Sequence, residues 1–214
     1  MPARESQKTG RLRLRHLMEH VEAVEEEMAV QRPRFERLAS NDAKPRVVSS
    51  FNLFQTPEPL AERVVGMFAT FGRVLEPSAG LGRLYRAVRA VDADCSVTLV
   101  ELAADCCREL YLATTGDANC RLVQDDFLLC DQQRLGLFDS IAMNPPFKMG
   151  RDIKHIRHAA TLLAPGGRLV SICANGPRQQ RELKPSASQW IDLPPGSFKE
   201  SYTNVNAAIV VIDA

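Results

Sequence analysis

After Pro57 the sequence alternates between segments of helix period and segments of strand period. Leu60 to Phe71 reads as a helix, Arg73 to Pro77 as a strand, Gly82 to Val91 as a helix and Ser96 to Glu101 as a strand. A helix from Ala103 to Ala113, a short strand at Arg121 to Gln124 and a strand at Phe138 to Asn144 follow. A helix from about Asp152 to Leu163 then leads through Pro165-Gly166-Gly167 into a strand from Arg168 to Ala174. The tail offers a short strand near Trp190 to Leu193 and a clear one at Val205 to Ile212. Repeated strand, helix, strand units predict an α/β fold with a doubly wound, mostly parallel sheet and helices on both faces. Ligands of such sheets lie outside the carboxyl ends of the strands, near the switch in strand order.

A chain of 214 residues has room for one such domain and a small appendage, not for two catalytic domains. The appendage is the N-terminal part. Residues 11 to 31 place Leu14, Leu17, Val21, Val24 and Met28 on one helix face with Glu22, Glu25, Glu26 and Glu27 on the others. Pro33 predicts a kink or a second short helix, and Ser40 to Pro45 reads as a linker. The expected organisation is an N-terminal helical extension and linker over 1–45 and a catalytic domain over 46–214. The helix either packs on the main domain or forms a dimer seam.

No apolar run approaches the roughly 18 residues that a membrane span needs. The first residues, Met1-Pro2-Ala3-Arg4-Glu5, show no secretory pattern, so a cytoplasmic location is expected. The six cysteines include no C-x-x-C pair and sit among apolar neighbours, as reduced core residues do. The pairs His16/His20 and His155/His158 could each share a helix face, but no nearby cysteine or acidic cluster completes a metal site.

The net charge of +1 conceals a segregation. Residues 92 to 139 carry ten acids against Arg108, Arg121 and Arg134. Residues 148 to 184 carry eight lysines and arginines against Asp152 and Glu182. An acidic side suits a small cationic or hydroxyl-rich ligand, and a basic side suits a polyanion.

The first strand runs into Glu76-Pro77-Ser78-Ala79-Gly80-Leu81-Gly82, whose two glycines allow a tight turn and close approach of a ligand to the backbone. A dinucleotide fingerprint would want a small residue where Tyr85 stands, and Glu76 would repel a pyrophosphate. Glu101 ends the second strand, where an acid can bind both hydroxyls of a ribose. Asp125-Asp126-Phe127 follows the third, where a carboxylate can take the amino group of an adenine and a backbone N–H can serve a ring nitrogen. Three acids after successive strands imply a nucleoside carrying positive rather than negative charge.

The fourth strand ends in Asn144-Pro145-Pro146-Phe147. Two prolines remove two N–H donors and stiffen the backbone, leaving carbonyls aimed above the sheet. From Phe51 onward the chain resembles the Rossmann-like S-adenosylmethionine-dependent methyltransferases, and within them the branch typified by DNA adenine-N6 enzymes. Glu76 to Gly82, including Ser78, Ala79 and Gly80, matches the family's cofactor loop, and Glu101 with Leu102 its ribose acid. Asp126-Phe127-Leu128 matches its adenine-binding segment, and Phe54-Gln55-Thr56-Pro57 its upstream F-x-T-P element. Leu163 to Leu169 and the Thr203 to Asn206 hairpin also look familial. The resemblance implies a seven-stranded sheet with an antiparallel final strand and S-adenosyl-L-methionine as cofactor.

It also implies a chemistry that needs neither acid nor metal. Asn144 and the Pro145 carbonyl would accept from the target amine, and Phe147 would stack on the base, which in a duplex must be flipped out. Lys148, Arg151, Lys154, Arg178 and Arg181 lie where phosphates would have to be held. The same motif serves RNA guanine-N2 and protein glutamine methyltransferases, and a cofactor-binding subunit that needs a partner is a further alternative. With little chain beyond the sheet, target selection is expected to come from loops, from the N-terminal helix or from a partner.

Overall fold

The computed structural model describes residues 55–198 and 205–214. The expected N-terminal helices, the linker, Phe54 and the first half of the Thr203 to Asn206 hairpin lie outside these residues. Among the described residues the elements are α1 (Glu58–Val65), β1 (Arg73–Glu76), α2 (Arg83–Val91), β2 (Ser96–Glu101) and α3 (Ala104–Ala113). Then come β3 (Cys120–Gln124), α4 (Gln132–Leu135), β4 (Phe138–Met143), α5 (Arg151–Ala160), β5 (Leu163–Ala174), α6 (Pro177–Leu183), β6 (Gln189–Asp192) and β7 (Ala207–Asp213).

The sheet has seven strands in the order β3-β2-β1-β4-β5-β7-β6. β7 runs antiparallel to both of its neighbours, and the other pairings are parallel. This is the expected doubly wound architecture. Strand order reverses between β1 and β4, so the crevice above their carboxyl ends is the place for a ligand.

The two faces follow from period-two alternation. Along β5, Leu169 and Cys173 join Ile153, Ile156 and Ala159 of α5 and Leu183 of α6 in one core cluster. Val170 and Ile172 point the other way, to Leu60, Ala61 and Val64 of α1 and Leu84 of α2. A third cluster closes the β1 and β2 side, where Val74, Val97 and Leu99 meet Val65, Tyr85, Val88 and Leu110. All six cysteines are free thiols, five of them buried. Among the described residues no helix is long and apolar enough to cross a membrane.

Two of the expected elements have clearly different bounds, and the short helices α4 and α6 are additional to the expectation. The first helix stops at Val65 instead of Phe71: past Gly66 the bonds tighten to three-residue spacing, Met67 N–H to the Val64 carbonyl and Phe68 N–H to the Val65 carbonyl, both at 3.2 Å. Phe68 and Phe71 then pack as a ring pair at 5.8 Å without helical backbone. β5 begins at Leu163, not Arg168, since Leu163 already pairs with Phe138. Ala164-Pro165-Gly166-Gly167 bulges between that pair and the next, Ser140 with Arg168.

Candidate active site

The carboxyl end of β1 carries Glu76, only 3% exposed. Burial pushes its carboxyl well above the usual range; the Tyr85 N–H counters this and the charge of Glu101 adds to it. Its Oε2 is buried and meets no hydrogen-bond partner. An unsatisfied carboxylate oxygen in such a place is a costly feature that a cationic or N–H-bearing ligand would offset.

Beyond Glu76 the chain turns through Gly80 and Gly82, at φ of 53° and 74°. The positive φ favours glycine at Gly82, and a Cβ there would lie 2.9 Å from a terminal methyl of Leu110 of α3. Two hydrogen bonds to β2 hold the loop. Ala79 N–H donates to the Val100 carbonyl at 3.1 Å, and Gly80 N–H donates to Glu101 Oε2 at 2.7 Å. Glu101 Oε1 accepts from Ala103 N–H at 2.8 Å, so one carboxylate ties the glycine loop to the start of α3. Each oxygen keeps a second lone pair for a hydroxyl donor. Leu102, next in sequence, is exposed beside it. Tyr85 is buried and donates to Asp117 at 2.7 Å, filling the space where a dinucleotide-binding helix would carry a small residue.

After β3 the two acids separate in role. Asp125 is paired with Arg134, whose hydrogen bond holds its carboxyl below the usual range. Asp126 accepts from Leu128 N–H at 3.0 Å and caps a short turn. Phe127 is 2% exposed and lies between the rings of His155 and His158, at 5.7 and 4.8 Å. Its ring is part of the core.

Asn144 follows directly on β4, and its Nδ2 donates to Thr56 Oγ1 at 3.0 Å. Pro145 is buried, Pro146 and Phe147 half-buried, and the Phe147 ring meets Phe198 edge-on at 6.2 Å. Lys148, Arg151, Lys154, Arg178 and Arg181 are all exposed on the segments that follow. Arg181 shares Glu182 with Arg157, so part of its charge is already neutralised.

Sequence reasoning missed two supports. His155 Nδ1 is 3.4 Å from the Ser78 hydroxyl, linking α5 to the glycine loop, while His158 contacts the Cys130 carbonyl at 2.8 Å. Asp152 is fully buried and accepts from Ala174 N–H at 3.1 Å and from Gln179 Nε2 at 3.2 Å, binding α5, the end of β5 and α6 together. The signal was available: both residues fall on the apolar face of the helix, with Ile153, Ile156 and Ala159.

Buried Glu76, the glycine loop, Glu101 and the Asn-Pro-Pro-Phe segment all lie at or just after the carboxyl ends of parallel strands in one Rossmann-like sheet. This arrangement is compatible with the S-adenosylmethionine-dependent methyltransferase class. Residues 44–189 match the methyltransferase small domain family, and the chain belongs to it. No individually curated protein matches by sequence. TrmN from Thermus thermophilus has the same fold at a TM-score of 0.60 and 20% identity, over 73% of this chain and 48% of TrmN. This chain thus spans about half the length of TrmN. An RNA methyltransferase from Salinibacter ruber in complex with S-adenosyl-L-homocysteine aligns at 0.53 and 15% identity, over 74% of this chain and 92% of its own. A methyltransferase from Pyrococcus furiosus aligns at 0.56 and 16% identity, over 89% and 98%. S-adenosyl-L-methionine is the methyl donor, and the orphaned Glu76 oxygen and the acid-lined strand ends fit its positive charge.

Proposed function

We propose that the chain methylates the exocyclic amino group of a nucleic-acid base, adenine N6 in DNA. The observation that carries this reading is the hydrogen bond from Asn144 Nδ2 to Thr56 Oγ1. It joins the N-P-P-F end of β4 to the upstream T-P element, and it engages the donor arm of the amide. Oδ1 is then the arm that accepts from a substrate amine, together with the Pro145 carbonyl.

An amine conjugated to a purine is a poor nucleophile because its lone pair is delocalised into the ring. Two acceptors on its N–H groups favour a pyramidal nitrogen with a directed lone pair, so catalysis is positioning plus electrostatics. Pro146 stiffens the loop, and Phe147 stacks on the base, a contact worth ~1 to 3 kcal/mol. The N–H proton that must leave after transfer passes to water.

S-adenosyl-L-methionine supplies an electrophilic methyl group on a sulfonium. Thr56, Glu76, Ser78, Ala79, Gly80, Gly82, Glu101, Leu102, Asp126, the Phe127 backbone and Asn144 would hold it, with Phe54 upstream. Lys148, Arg151, Lys154, Arg178 and Arg181 would hold phosphates. The first 45 residues would provide target selection, as a homodimer seam or as a dock for a specificity partner.

A second reading, guanine N2 in RNA, is favoured by the fold shared with an RNA methyltransferase from Salinibacter ruber. The test is incubation with labelled methyl donor and, in parallel, duplex DNA, single-stranded DNA, ribosomal RNA and protein extract, followed by mass spectrometry of the products. N6-methyladenine in DNA is the expected product. N2-methylguanine in RNA moves the target to the second reading, methylglutamine to protein, and donor binding without transfer leaves a cofactor-binding subunit.

A further inference from the structure

Directly after Phe147 the chain makes one tight turn, Lys148–Gly150. Met149 has φ 58° and ψ 21° and is the one non-glycine residue with positive φ among those described. It is also 83% exposed, more than any other large hydrophobic side chain described. A left-handed backbone is strained for methionine, and exposure of its side chain brings no packing in return. Glycine would remove both penalties.

The strain is held in place by neighbours. Gly150 continues the left-handed path at φ 72°, and a Cβ there would lie 2.9 Å from the Arg178 guanidinium carbon. Arg178 Nη1 reaches the Met149 carbonyl at 3.4 Å. Arg178 stands on α6 beside Gln179, which is bonded to buried Asp152. Arg178 thus meets the backbone of the turn from the protein side, while the apolar side chain of Met149 stands out in solvent. Lys148, Arg151 and Arg178, all exposed, accompany it.

An isolated, unbranched thioether among cations is a poor protein-docking patch, which needs contiguous apolar area. It suits a nucleic acid, whose phosphates would meet the cations and whose base steps admit apolar wedges such as Met. Extraction of a base from a duplex leaves a gap in the stack beside the enzyme. We propose that Met149 is that wedge: it inserts into the base step at the target and fills the space left by the extruded base. The inference rests on the reading of this site as a base methyltransferase.

The test compares kcat/KM of wild type, Met149→Ala, Met149→Leu and Met149→Gly on random-sequence duplex DNA and on the same DNA with its strands separated. The expected result is a drop of about tenfold or more in the ratio of duplex to single-strand activity for Ala and Gly, with Leu restoring it. Equal losses on both substrates, no loss, a Leu variant that fails to restore the ratio, or a Gly variant that keeps it would each overturn the wedge. So would a wild type active on single strands alone, which leaves base methylation itself standing. A wild type that methylates no nucleic acid overturns the underlying reading, and the wedge with it.

Discussion

Asn144 and Thr56 are 88 positions apart in sequence and share a hydrogen bond of 3.0 Å at the carboxyl end of β4. Thr56 is 5% exposed and Asn144 half-buried, so the bond is partly shielded from water. Asn144→Ala is expected to abolish methyl transfer, with a much smaller loss of donor affinity, since Asn144 is one of many residues that would hold the donor. Thr56→Val keeps the shape and removes the acceptor, and should lower kcat by about tenfold, the scale of one lost hydrogen bond of ~1 kcal/mol plus misorientation. Donor affinity should change less, and Thr56→Ser should restore the rate. Single-turnover kinetics beside calorimetry of donor binding separates the two effects; a Thr56→Val variant with wild-type kcat would remove Thr56 from the positioning of Asn144.

Glu76 makes donor binding depend on pH. Burial raises its folded pKa above the ordinary carboxylate value, so the folded protein holds a proton that the unfolded chain releases as pH rises above about 4.5. Stability of the unliganded protein therefore falls as pH rises through that window toward the raised folded value. A cationic donor favours the ionised carboxylate, so its affinity should rise over the same window. Glu76→Gln removes both trends: thermal melts should show a flatter pH profile without donor, and calorimetry should show affinity weakened by about tenfold or more. A variant whose donor affinity keeps the wild-type pH slope would exclude Glu76 as the titrating group.

Much of this site was legible because it rests on local signals. The Glu76 to Gly82 loop, Glu101 and Asn144 each end a strand whose period is visible in the sequence, and parallel winding brings strand ends to one edge. The contacts that hold those residues are long-range and carry no local signature. Nothing in the neighbourhood of Ser78 announces His155, 77 positions on, and nothing near Gly150 announces Arg178. The two short helices, α4 and α6, escaped because four and seven residues give too few turns for a periodic pattern. Phe127 lies in the expected segment after β3, and its ring packs in the core.

His155 should set the acid limit of the fold. Burial lowers its pKa from 6.5 to about 4, with Asp126 opposing the shift. Between those values the unfolded chain binds a proton that the folded protein does not, so stability is lost as pH falls from 6.5 toward 4, by about 3 kcal/mol at most. His155→Asn should flatten the loss of Tm over that range while giving up part of the contact to Ser78. An unchanged acid slope in the variant would assign the sensitivity to other groups.

Glu101 spans two segments, and this predicts that its Ala and Gln variants lose donor affinity alike. Glu101→Ala removes the acceptors for Gly80 N–H and Ala103 N–H, together with the proposed ribose contact. Charge-assisted hydrogen bonds are worth ~1.5 to 3 kcal/mol, so donor affinity should drop by about tenfold to hundredfold. Glu101→Gln keeps one acceptor oxygen and turns an NH₂ toward one of two backbone donors, a donor-to-donor clash that loosens the loop or the start of α3. Donor affinity in Gln should therefore stay close to that of Ala. Hydrogen exchange should show faster opening at Gly80 or Ala103 in both variants. Wild-type affinity in Glu101→Gln would mean that a neutral acceptor suffices and that the charge of Glu101 contributes little to holding the donor.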